Sequence, residues 1–196
     1  MANSNPNDLI ITPEFRMVFP QLFEPKPVVV KGKEVGDPIY SLLMMFEPSA
    51  IKPVKEKAAE VARQKWPNRD LTELNMPFQS GDEQAKNAAA KDKDGSFFEG
   101  MQLLKTKSKF QPGVVGPNKQ EILNASDIYS GCYGYAEVNF VSYDGISNNP
   151  DGVTAYLNHV MKSRDGERLA GRTAKDVFSG IEGGESDYDP TSDIPL

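Results

Sequence analysis

Residues 133–145 read YGYAEVNFVSYDG, and the period of that stretch decides what kind of chain this is. Tyr133, Tyr135, Glu137, Asn139 and Tyr143 fall on one face of an extended segment, while Val138 and Phe140 fall on the other. An apolar face opposite a polar face dotted with tyrosines is a strand half sunk in a core, and Asp144-Gly145 supplies the turn that ends it. The same character appears downstream in GVTAYLNHVMKSRDG (152–166) and upstream in MQLLKTKSKFQPGVV (101–115), each bounded by Gly, Pro, Asn or Asp.

Further upstream, EFRMVFPQLF (14–23) sets Phe15, Met17 and Phe19 on one side, and IYSLLMMFEP (39–48) is a mostly buried strand stopped by Pro48. The charged connection EPKPVVVKGKEVGDP joins them. PVKEKAAEVARQKW (53–66) changes period: Val54, Ala58, Val61 and Lys65 recur at helical spacing, Pro53 suits a first turn, and Pro67 stops the helix after Trp66. Residues 67–100 are polar and predict a long mobile loop, in which Ala85 to Ala90 is the one helical stretch. About five strands, one principal helix and long connections make a mainly β domain over 1–178, a small antiparallel barrel rather than a layered α/β fold.

The net charge of -6 is unevenly placed. From Asp176 to Leu196 there are six acids and no Lys or Arg, so residues 1–175 hold 22 acids and 22 bases and are formally neutral. Residues 179–196 have too few apolar side chains to offset the entropy of ordering, which predicts a disordered acidic tail. Its end is a candidate partner-binding segment: Asp187, Asp189 and Asp193 lead to an apolar tip of Ile194, Pro195 and Leu196. The single cysteine, Cys132, excludes an internal disulfide framework, no charged-then-apolar leader opens the sequence, and the longest apolar run, Leu42 to Phe46, is too short to span a bilayer. A cytoplasmic protein without a membrane partner is expected.

Catalytic chemistry finds little to use. His159, the sole histidine, sits mid-strand, where a structural role is expected, and the scarcity of His and Cys argues against the usual zinc sites. DKDG at 92–95 lacks the remaining ligands of a calcium loop, and no phosphate-loop or dinucleotide glycine pattern is present. The expectation is a non-enzyme with no cofactor and no metal. One enzymatic rival would use Asp82, Glu83, Asp92 and Asp94 to hold Mg²⁺ against a nucleic acid.

Residues 101–120 are more informative, carrying Lys105, Lys107, Lys109 and Lys119 without a single acid. In a strand, Lys105, Lys107 and Lys109 project together about 7 Å apart, close to the spacing of successive phosphates. Phe110, Tyr133 and Tyr135 are candidates to stack on bases, which bind aromatic rings without reading sequence. Lys162, Arg164, Arg168 and Arg172, followed by Lys175, form a second basic cluster diluted by Asp165 and Glu167. The alternative is an edge strand that uses lysines against aggregation, in a protein-interaction or virion component that binds no DNA.

KSKFQPGVVG, YSGCYGYAEVNFVSYD and GVTAYLNHVMKSRDGERLAGRTAKDVF resemble the phage-encoded single-stranded DNA-binding proteins with an OB-fold. The resemblance covers about Met101 to Phe178, and YSGCY and DGERLAGR are its most specific parts. It implies a five-stranded Greek-key OB barrel whose groove takes single-stranded DNA during phage replication or recombination. The tail is similar in design to those of bacterial and phage single-stranded DNA-binding proteins, with Leu196 where an aromatic is usual. It implies that the acids compete with DNA for the groove and the tip docks replication or recombination proteins.

Overall fold

Alternating sequence becomes strand wherever turn residues punctuate it, and the strands close on themselves. The computed structural model describes residues 8–30, 33–146 and 150–169, so Arg172, Lys175 and the tail segment from Asp187 to Leu196 lie outside the described residues. In chain order the elements are β1 (Leu9–Ile11), β2 (Phe15–Val30), β3 (Lys33–Phe46), α1 (Lys52–Lys65), β4 (Phe78–Ser80), α2 (Gly81–Ala89), β5 (Gln102–Ser108), β6 (Gly113–Val115), β7 (Tyr133–Tyr143) and β8 (Gly152–Arg164). No helix among the described residues is long and apolar enough to cross a membrane.

Five strands form the barrel. β2 pairs with β3, β3 with β5, β5 with β8, β8 with β7, and β7 returns to β2 through Phe15 opposite Gly134. All of these pairings are antiparallel except β5 with β8, which meet in parallel where Lys107 lies opposite Tyr156. This Greek-key closure is an OB-fold. The three short strands extend it: β1 lies along β7, β6 along β8, and β4 along β5.

The inward face is the core. Phe15, Met17, Leu22, Leu42, Met44, Phe46, Leu104, Val138, Phe140 and Leu157 are buried, with the Phe15 and Phe46 rings 5.6 Å apart. α1 plugs the barrel with Val54, Ala58, Val61 and Ala62, its first turn accommodating Pro53 because N–H groups there have no helical partner. Phe19 departs from the expected Phe15, Met17, Phe19 row. Its backbone takes φ +47 at an irregularity of β2, and its ring turns outward to lie 48% exposed, 6.5 Å from Phe98.

Residues 67–100 are more ordered than the loop expected from their composition. β4 and α2 occupy their middle, with turns of 3-10 helix at Leu71–Glu73 and Ser96–Phe98. Asp82 and Glu83 in the first turn of α2 complement its N-terminal dipole. Gly81 must be glycine, because a Cβ there would lie 1.9 Å from the Phe98 carbonyl oxygen. That close approach presses Phe98 onto Val18, Met45 and Leu103, covering one end of the outer face of β2, β3 and β5.

Candidate nucleic-acid interface

The strand period places Lys105 and Lys107 on the outside of β5. Leu103, Leu104, Thr106 and Ser108 around them are buried, and both lysines are exposed. Across β3, Lys105 stands opposite Leu43 and Lys107 opposite Ser41. On the other side, the Lys107 ammonium lies 6.0 Å from the centre of the Tyr156 ring. Lys109 follows just beyond the strand, and Phe110 is 84% exposed on a bend where its N–H donates to Ser108 Oγ (3.2 Å). Among the described residues, none of these three lysines forms an ion pair.

The second basic cluster is arranged differently. Lys162 Nζ meets Asp165 at 2.7 Å, donates to the Asp127 carbonyl at 2.8 Å, and has a side chain only 13% exposed. Arg164 pairs with Glu14 at 3.0 Å and stacks on Tyr133, its guanidinium 3.5 Å from the ring centre. Arg168 lies 4.1 Å from the centre of Tyr129. The Arg164 hydrogen bond, helped by Ser163, holds the Glu14 carboxyl below the usual range, and Lys162, with Tyr129, does the same to Asp165. These cations are already matched by acids and rings of the fold.

Part of that network is a clasp between the two most specific sequence motifs. Arg16 donates to the Gly131 carbonyl (3.2 Å) and the Glu167 carbonyl (2.7 Å), and Leu169 N–H donates to the Ser130 carbonyl (3.0 Å). Gly131 has φ +122, and a Cβ on it would lie 2.0 Å from the Glu167 oxygen. YSGCY and DGERL are thus two sides of one contact. Burial raises the pKa of the Cys132 thiol beneath it.

Tyr133 and Tyr135 separate from the lysine row, because they stand opposite Arg164 and Met161 on β8, whereas Lys107 meets β8 further back at Tyr156. Tyr133 joins Arg16 and Arg164, while Tyr135 sits opposite Met161 in an apolar patch with Ile11, Val115 and His159. Tyr143, on the tyrosine face read from the sequence, and Tyr156, not singled out there, are the tyrosines that line a cleft with Lys105 and Lys107. Their outward alternation was visible, but their neighbours on other strands were not. Of the acids considered for Mg²⁺, Asp82 accepts from Gly100 N–H (2.8 Å) and Asp94 from Ser96 N–H (3.0 Å), which makes them loop caps. Among the described residues, no group of three or more His, Cys, Asp or Glu side chains is placed to hold a metal.

Residues 8–189 match the family model described as Enterobacter phage Enc34, ssDNA-binding protein. This chain belongs to that family. Protein p50 of Acyrthosiphon pisum secondary endosymbiont phage 1 is 31% identical over 160 residues, which cover 80% of this chain and 83% of p50. The solved single-stranded DNA-binding protein from bacteriophage Enc34 in complex with ssDNA superposes with a TM-score of 0.63 at 19% identity, covering 84% of this chain and 91% of that one. The bacteriophage T7 single-stranded DNA-binding protein gp2.5 gives 0.55 at 14% identity, covering 84% and 96%. At these identities the superpositions establish the shared OB barrel, while the family rests on the sequence match.

Proposed function

We propose that this protein of the Enc34 family binds single-stranded DNA without sequence preference, along the outer face of β3 and β5, in phage replication or recombination. The observation that carries the reading is the row of Lys105, Lys107 and Lys109, free of ion pairs among the described residues, whereas Lys162 and Arg164 are paired with acids. In OB barrels the face of the second and third strands, with its flanking loops, receives oligonucleotides, and those strands are β3 and β5 here. The lysines neutralise phosphates, and the released counterions supply much of the free energy. Phe110 offers a sequence-tolerant stacking surface beside them.

Residues 179–196 act as a competitor for the same face and as a docking segment for replication or recombination proteins. Their acids complement the lysine row, and the apolar tip Ile194, Pro195 and Leu196 suits a partner's pocket. Filter binding to oligo(dT) across a salt series tests the DNA reading. With three to five phosphates neutralised, log K should fall against log salt with a slope of roughly -2 to -4. No binding at low salt, a salt-insensitive complex or strong sequence selectivity contradicts it.

A further inference from the structure

The barrel wall is open between β5 and β8. On that edge β5 is covered by β4, up to the bond from Lys105 N–H to the Pro77 carbonyl (2.9 Å), and next meets β8 only at Lys107. Between these points lies a cleft of ≈ 740 Å³ lined by the rings of Phe78, Tyr143 and Tyr156, with Lys105 and Lys107 exposed at its side. That volume is within the range of sites that enclose small ligands.

The cleft has a constructed lip. Asn75 N–H donates to the Asp151 carbonyl (2.9 Å), Val153 N–H donates to the Asn75 carbonyl (2.9 Å), and Asn75 Nδ2 donates to the Tyr143 hydroxyl (2.7 Å). Gly152 makes this approach feasible, since a Cβ there would lie 2.2 Å from the Asn75 oxygen and 2.8 Å from the Tyr143 hydroxyl. On the wall, Gln79 Nε2 donates to Gln84 Oε1 (3.0 Å), while Gln79 Oε1 is shielded from solvent and has no donor among the described residues.

We propose that this cleft takes one nucleobase of the bound strand, stacked on Tyr156, while Lys105 and Lys107 hold the phosphates beside it. The inference rests on the single-stranded DNA reading above and assigns a specific pocket within it. Every base has a π-face to lay on Tyr156, so the pocket adds affinity without sequence preference. The Lys107 ammonium lies over the Tyr156 ring, 6.0 Å from its centre, and swings to the neighbouring phosphate when a base takes that face.

The test is oligo(dT) binding by the full chain, the Tyr156→Ala variant and the Gly152→Val variant, with an abasic oligomer of equal length alongside. Tyr156→Ala should weaken binding by about 5- to 150-fold, the range that base–aromatic stacking spans. Its salt slope should match the wild type, because the ring carries no charge, and its circular dichroism should be unchanged. Gly152→Val should also weaken binding by crowding the lip. The abasic oligomer should bind the wild type more weakly than oligo(dT), and that gap should narrow in Tyr156→Ala. A normally folded Tyr156→Ala variant that binds as tightly as wild type overturns the pocket, as does a loss accompanied by a shallower slope, which would mean that the ring only positions Lys107. If the wild type binds oligo(dT) but these variants do not differ from it, the pocket falls and the DNA reading stands. If the wild type does not bind at low salt, both fall.

Discussion

Lys105 and Lys107 were legible because a period of two, applied to an acid-free stretch, places them on one face, and the fold adds only their neighbours Leu43, Ser41 and Tyr156. Lys162 and Arg164 were not legible in the same way, because what decides their availability comes from distant segments: Glu14 for Arg164 and the Asp127 carbonyl for Lys162. The two groups therefore respond differently to alanine. Lys105→Ala, Lys107→Ala and Lys109→Ala should each lower affinity for single-stranded DNA and flatten the salt slope by about 0.7 for each lost phosphate contact. Their melting temperatures should stay near wild type, since exposed lysines contribute little to stability. Arg164→Ala strips Glu14 of its cation and Tyr133 of its stacked guanidinium, so it should lower the melting temperature with little change in slope. Normal binding by the three lysine variants moves the interface elsewhere, with the Lys162 to Lys175 cluster next in line.

At the scale of elements, the sequence showed what pattern can show. α1 was readable from Val54, Ala58 and Val61, and the barrel strands from their alternation. α2 was only partly readable, because its one buried residue is Gly81 and no apolar stripe marks a helical face. The parallel junction of β5 with β8 leaves no local trace at all, being a single opposed pair far apart in the chain. The connection between β7 and β8 is likewise held by a nonlocal contact, the ion pair of Arg69 with Asp151. The Gly145 N–H, and then Arg69, hold the Asp151 carboxyl below its usual range. A depressed folded-state pKa gives stability that is present above the unfolded value, near 3.9, and lost as pH falls through the folded value. Asp151→Asn should therefore melt below the wild type near pH 7, and the gap should shrink as pH drops below about 4. Thermal melts at several pH values check this, and a gap that stays constant with pH would assign the difference to packing at the loop base.

The whole molecule divides its charge between a neutral body and an acidic end, a division that no single strand or helix reveals. Residues 1–175 carry 22 acids and 22 bases, so affinity for a polyanion depends on where the unpaired lysines stand and on what competes for them. Deleting residues 182–196 removes Glu182, Glu185, Asp187, Asp189 and Asp193. The shortened protein should bind oligo(dT) more tightly, with the largest gain below about 0.1 M salt, where the Debye length is roughly 10 Å or more. Near 1 M the length falls to about 3 Å, and the two proteins should converge. Leu196→Asp separates acidity from the apolar tip: it keeps every acid that competes for the lysine row, so DNA affinity should stay at the wild-type value or fall slightly. Fluorescence anisotropy over one salt series reads all three proteins. If the deletion leaves affinity unchanged at low salt, the acidic segment does not compete for the β3–β5 face, and only its docking role survives. If Leu196→Asp tightens binding as the deletion does, the tip rather than the acids holds the segment against the body.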